Sequence, residues 1–260
     1  MPLDFGKHDD VVYKHAPLVA VLCQVRFSPI LSLLTEAGLT GLQTLLRDRY
    51  PKFEKDVETN VGLSNDGLKL ERKAPLFTLT SEDGVWRVSI AVDFVALETP
   101  NYTNFGEFLL RMTEILDAVH RTLRPTSSVR VGLRKVNHLH SEAVTSPHEW
   151  SEIVNPVLLG ALGCEEFPVA PVFALSDLRF QDGDNMLVVR HGLHPENPAI
   201  YILDQDYSTE RPYDIDAPAE ITNLLQHFSD GMTSFFSWGL TDKYKQTLGP
   251  EPRAETGARP

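Results

Sequence analysis

Residues 86–94 read WRVSIAVDF, and residues 105–123 read FGEFLLRMTEILDAVHRTL. In the first stretch Trp86, Val88, Ile90, Val92 and Phe94 alternate with Arg87, Ser89, Ala91 and Asp93. That is the period of two of a strand with one apolar face. In the second, Phe105, Phe108, Leu109, Met112, Ile115, Leu116, Val119 and Leu123 recur at helical spacing, which predicts an amphipathic helix. Asn104, with Glu107 three residues on, is a capping-box start, and Pro125 sets the end. A one-faced strand followed by a one-faced helix predicts a helix laid on a sheet, an α+β layer.

The same plan extends in both directions. Upstream, LVAVLCQVRF at 18–27 is a Val-rich strand between Pro17 and Ser28-Pro29. Ser28-Pro29 reads as a helix start, with a break near Gly38 and a second capping box at Thr40 and Gln43. Short strands are expected near 61–63, at 68–71 and at 76–80, with a turn at 81–84. Downstream, strands are expected at 129–136, 172–180, 186–190 and 200–204. Ser146-Pro147 with Glu149, then Asn155-Pro156, predict a second helix broken in two. Asp216 and Pro218 start a last helix whose stripe is Ile221, Leu224, Leu225, Phe228, Met232, Phe235, Phe236 and Leu240.

The expected fold is therefore α+β: tandem β-α-β-β-β-α repeats forming a curved antiparallel sheet covered by helices on one face. It resembles the TATA-binding-protein saddle or a helix-grip arrangement. The boundaries are a flexible lead-in at 1–15, a first repeat at 16–126, a second at 127–248 and a disordered tail at 249–260. The tail carries Pro, Gly and charge and nothing apolar beyond Ala.

Composition narrows the function. The net charge is -12, from 36 acidic and 24 basic residues. A field of that sign repels phosphate backbones and anionic lipid, so neither nucleic acid nor membrane is an expected partner. No apolar run approaches the ~20 residues of a membrane span. Residues 1–10 lack the basic-then-apolar layout of a secretory signal, and a cytoplasmic location is expected. Cys23 and Cys164 form neither a CxxC pair nor a disulfide scaffold and are read as reduced thiols.

The stretch HAPLVAVLCQVRFSP at 15–29 resembles the start of a sporadically distributed family of uncharacterised bacterial proteins of about this length, whose members open on an APL-V-RF strand. Their ending, a helix with an aromatic pair followed by a Leu-bearing stretch, is similar to HFSDGMTSFFSWGLTDKYKQTLG at 227–249. The resemblance implies one full-length architecture in a bacterial protein and carries no catalytic residue with it.

Residue chemistry points the same way. There is no P-loop, no GxGxxG and no nucleophile elbow. His138 and His140 share one strand face and His191 and His194 form a second close pair, but neither matches a zinc motif. No metal and no cofactor is expected. Asp93 and Asp204 fall at comparable places if the halves correspond, and facing acids there would couple their titrations. The sheet face away from the helices is expected to carry Arg87, Ser89, Asp93, Arg130 and Arg134, with Phe173, Leu175, Asp177 and Arg179. Tyr102, Tyr207 and Tyr213 are read in loops after the long strands, where tyrosine favours binding. The candidate binding residues are Arg87, Asp93, Tyr102, Arg130, Arg134, His138, Asp204, Tyr207 and Tyr213, with no catalytic set. The leading reading is a non-catalytic protein-binding or self-associating protein with a small anionic ligand as a further partner. Small-molecule binding in a sheet–helix cavity, or an enzyme with carboxylate or histidine acid–base residues, are the alternatives.

Overall fold

The computed structural model describes residues 3–6, 11–56, 59–64, 67–72, 75–164, 166–169 and 171–252. Along the chain the elements are β1 (Val11–Tyr13), β2 (Leu18–Phe27), a 3-10 turn (Leu31–Leu34), α1 (Glu36–Leu46), β3 (Lys52–Asp56), β4 (Thr59–Ser64) and β5 (Gly67–Arg72). Then come β6 (Leu76–Thr80), β7 (Arg87–Ala91), β8 (Phe94–Thr99), α2 (Phe105–Leu123) and β9 (Ser128–His140). After a 3-10 turn (Pro147–Glu152) follow α3 (Pro156–Leu159), a further 3-10 turn (Gly160–Gly163), β10 (Leu175–Asp182), β11 (Asn185–Leu193), β12 (Ile200–Thr209), α4 (Pro218–Gly239), α5 (Asp242–Thr247) and β13 (Pro250–Pro252). A nine-stranded antiparallel sheet has the order β10-β11-β12-β9-β2-β8-β7-β6-β3, and β1-β13 and β4-β5 form two-stranded sheets.

The chain divides into two compact units. The central unit comprises Ala20–Arg134 and Ser208–Gln226. In it Val21, Cys23 and Val25 of β2 lie opposite Thr99, Leu97 and Val95 of β8, and all six are buried. Val88 and Ile90 continue that face. The alternate residues Leu22, Gln24 and Arg26, paired with Glu98, Ala96 and Phe94, make the other face. Helix α2 buries its apolar stripe, with the Phe108 ring 6.0 Å from that of Trp86. Its start follows the sequence reading in one half: the Asn104 carboxamide accepts from the Glu107 N–H, while the Glu107 carboxylate accepts from Thr103 Oγ1 and Arg111 instead of closing a capping box.

The terminal unit comprises Met1–Val19, Lys135–Tyr207 and His227–Pro260. Its buried strand face carries Tyr201, Leu203, Gln205 and Tyr207 of β12 with Lys135, Asn137 and Leu139 of β9. Helix α4 packs on it: Gln205 Nε2 donates to the Met232 carbonyl at 2.9 Å, and Lys135 Nζ to Ser229 Oγ at 2.8 Å. The terminal segments expected as lead-in and tail supply Phe5 and the β1-β13 pair; residues 1, 2, 7–10 and 253–260 lie outside the described residues.

Several local expectations are corrected. Residues 86–94 are not one strand: β7 ends at Ala91 and β8 begins at Phe94, with Ala91 opposite Phe94. The two-residue turn Val92-Asp93 is fixed from outside, because its carbonyls accept from the Ile30 and Phe27 N–H groups. Its Val92 merely continues the alternation that the sequence shows. The break in the first helix falls at Thr35, not Gly38, and Thr40 Oγ1 donates to the Glu36 carbonyl inside α1 instead of capping a second helix. Gly38 serves the junction differently: a Cβ there would stand 1.9 Å from the Ser32 carbonyl oxygen. The strand expected at 172–180 is Leu175–Asp182. Tyr207 lies not in a loop but in β12, fully buried.

Candidate functional site

The polar centre of the terminal unit forms where β10 ends. The turn after it needs Gly183 at φ 58, in the left-handed region, and the preceding Asp182 is thereby held at the strand end. Asp182 Oδ2 accepts from the Tyr207 hydroxyl at 2.5 Å and meets His227 Nε2 at 2.7 Å. Burial opposes ionisation of Asp182, but the hydrogen bonds from Tyr207 and His227 outweigh it and hold the carboxyl below its ordinary range. Burial first, then the hydrogen bond to Asp182 and the Asp182 charge, push the Tyr207 hydroxyl well above its ordinary value. Tyr207 is therefore a hydrogen-bond donor at neutral pH and not a base. The Tyr207 ring stacks on Phe228 at 4.3 Å. Gly231 leaves room for it, since a Cβ there would stand 2.9 Å from Tyr207 Cε1.

Beside this centre lies an aromatic box. Half-buried Phe180 of β10, with Phe235 and Trp238 of α4, surrounds the Phe5 ring. Phe5 meets Phe180 edge-on at 5.1 Å and Phe235 edge-on at 5.0 Å, with Trp238 tilted at 6.0 Å. The Phe5 N–H donates to Ser234 Oγ at 2.8 Å.

Strand β10 closes the large sheet, and among the described residues no strand pairs with its outer edge. It is approached by exposed Phe167, Val169, Val172 and Phe173 and opens with exposed Leu175. On its outward face Asp177 binds Arg179 at 2.9 Å and Arg190 at 3.4 Å, and Arg190 reaches Asp204 at 3.8 Å.

The central unit has a separate open cleft of about 430 Å³ lined by Arg49, Ser81, Glu82, Asp83, Trp86 and Arg111. The Arg111 guanidinium lies 4.3 Å from the Trp86 ring centre and binds Glu107, while Arg49 binds Glu114. The buried Tyr50 hydroxyl stands beside Arg111, whose charge opposes the upward push of burial on it.

The residues singled out from sequence are distributed over both units. In the central unit, Arg87 is exposed opposite Glu98, Asp93 pairs with Arg26, and Arg134 is exposed on β9. Arg130 lies along its own strand over Gly132, where a Cβ would stand 2.6 Å from its Nη1. Tyr102 is half-buried before α2, and Tyr213 exchanges backbone and side-chain bonds with Ser128 beneath Arg211. In the terminal unit, the half-buried His138 ring lies 5.7 Å from His194, one member from each histidine pair, and burial and then His194 lower its pKa. Asp204 is buried in mid-strand and Asp93 sits in a turn before its strand, so the two are not comparable positions.

Asp182, His227, Ser234, Phe180 and Phe5 were not singled out. Asp182 is camouflaged in the turn-like QDGD, and Phe5 is a lone aromatic in a polar stretch. The available signal was the set Ser229, Ser234 and Ser237 on an otherwise apolar helix face; all three are buried. Among the described residues no helix is long and apolar enough to cross a membrane. No protein-family model matches the chain, and no curated protein matches it.

Proposed function

We propose that this chain is a non-catalytic interaction protein that binds another polypeptide, a second copy of itself, through the outer edge of β10. The observation that carries this reading is the edge and its approach. The Leu193 N–H donates to the Ala174 carbonyl at 3.0 Å, which sets the ladder parity. Ser176, Leu178, Phe180 and Asp182 then bond to β11, while Leu175, Asp177, Arg179 and Gln181 turn their backbone groups outward. Such an edge is a template for another strand unless it is covered.

Charge favours a second copy. Antiparallel pairing of β10 with itself, centred on Leu178, sets Asp177 opposite Arg179 of the partner subunit and repeats that pair by symmetry. The same register joins outward-facing backbone groups on both strands. Exposed apolar residues such as Val172, 87% exposed, supply surface that association would cover.

Sedimentation equilibrium tests this. The wild-type chain is expected as a concentration-dependent dimer. Asp177→Arg or Arg179→Asp alone weakens it by about tenfold or more, and the double reversal recovers part of the loss, as expected for facing charges. A monomer at every concentration, or single reversals without effect, contradicts it.

We also read the chain as tandem β-α-β-β-β-α repeats in a bacterial, cytoplasmic protein of the APL-V-RF family. The order β2, α1, β6, β7, β8, α2 is followed by β9, α3, β10, β11, β12, α4, and the sheet neighbours run β2-β8-β7-β6 and β9-β12-β11-β10, which supports the repeat. A second functional reading, binding of a small anionic ligand, is favoured by the cleft holding Arg49, Arg111 and Trp86. A thermal shift with small carboxylates or phosphate, abolished by Arg49→Ala, tests it.

A further inference from the structure

The segment Leu3–Gly6 is seated as a bound peptide would be. Three kinds of contact hold it, and each reads a different feature. The Phe5 N–H donates to Ser234 Oγ at 2.8 Å. The Phe5 ring enters the box of Phe180, Phe235 and Trp238 with edge-on geometry on two sides. Asp4 Oδ1 accepts from the Gly6 N–H at 2.9 Å, closing a turn around Phe5, and from Ser234 Oγ at 3.4 Å. Gly6 takes φ 117, a conformation that favours glycine. The receptor side is also joined within itself: the Phe235 ring lies 5.4 Å from Trp238 and 5.8 Å from Phe180.

We propose that this groove is a docking site for a short Asp-Phe-Gly-type peptide of a partner protein, and that the chain's own residues 3–6 occupy it in cis as an inhibitory plug. The occupant is specified by what is seated there: an aromatic ring for the box, a backbone N–H for Ser234, and an Asp-Gly turn around the ring. A tethered segment competes at an effective concentration of about millimolar, so a partner enters when the plug is displaced. The groove meets β10 through the Phe180 side chain and not through the outward backbone groups of Leu175, Asp177, Arg179 and Gln181, so its occupancy does not require a dimer.

The probe is a labelled synthetic peptide of residues 1–8, MPLDFGKH, followed by fluorescence anisotropy. Receptors are the wild-type chain, a chain lacking residues 1–10 and a full-length Phe5→Ser chain, each checked for folding by circular dichroism. Every receptor also carries Arg179→Asp, so failure of edge pairing cannot alter the result. The two opened chains are expected to bind the peptide about tenfold or more tightly than the wild type. Replacing the peptide's Phe5 by Ala is expected to weaken binding by a similar factor. Folded open chains that take up no peptide, equal binding of the Ala peptide, or equal binding by the plugged chain overturn the proposal. If neither opened chain folds, Phe5 is a core residue and the proposal is likewise overturned.

Discussion

The Tyr207 hydroxyl donates to Asp182 Oδ2 at 2.5 Å, joining β12 to the end of β10. The same oxygen meets His227 Nε2 at 2.7 Å. One carboxylate thus ties two strands and a helix together at the point where the terminal segment docks. Asp182→Asn removes the charge from both bonds and is expected to cost about 2 kcal/mol in urea unfolding.

The pH dependence follows from the depressed carboxyl. Asp182 titrates lower in the folded chain than its reference value of 3.8. Its contribution is therefore fully present above that value and is lost as pH falls through the lower folded value. Stability measured from pH 6 down to about pH 2 should fall less steeply in Asp182→Asn than in the wild type over that acid window.

Tyr207→Phe keeps the stack on Phe228 and deletes only the hydroxyl. It should cost about 1–2 kcal/mol, whereas Tyr207→Ala, which also empties a buried site, should cost about 3–5 kcal/mol. The Phe change combined with Asp182→Asn should be less costly than the sum, since both remove one bond. Urea midpoints of the wild type, the three single variants and the double variant check this.

The two thiols should differ in reactivity. Burial pushes the Cys23 thiol up to about 12, against a smaller opposing effect of Arg130, and the side chain is fully enclosed. Cys164 is half-buried. Alkylation at pH 8, read by intact mass, should label one site in the native chain and both in denaturant.

Arg111→Met removes the guanidinium from Trp86 and Glu107 and should cost about 1–2 kcal/mol in urea unfolding. Glu107, held low by Thr103 and then by Arg111, should titrate higher in that variant by carboxyl NMR.

The elements were legible where one local rule decided them. Helix α2 begins at its Asn104 cap and carries the stripe expected of it. The strand at 18–27 has the bounds its flanking prolines set. Failures came where distant groups decided. The Val92-Asp93 turn is fixed by backbone donors of Phe27 and Ile30, which no local pattern encodes. Tyr207 looked like a loop residue because YSTERPYD is polar, yet Tyr201, Leu203, Gln205 and Tyr207 form one buried face. Of the residues chosen from sequence, Tyr207 belongs to the Asp182 centre, whereas its partners His227 and Asp182 become neighbours only through the fold. The glutamine and lysine buried under α4 show why hydrophobic period alone could not draw that surface.

Hydrogen exchange of β10 at low and high protein concentration tests the interaction reading most directly. Pairing through the edge predicts that the Leu175, Asp177, Arg179 and Gln181 amides, which turn away from β11, gain protection as concentration rises. It also predicts that Arg179→Asp abolishes that gain. Rapid exchange of those four amides at every concentration, with the Ser176, Leu178 and Phe180 amides protected, would mean that the edge stays unpaired and would contradict it.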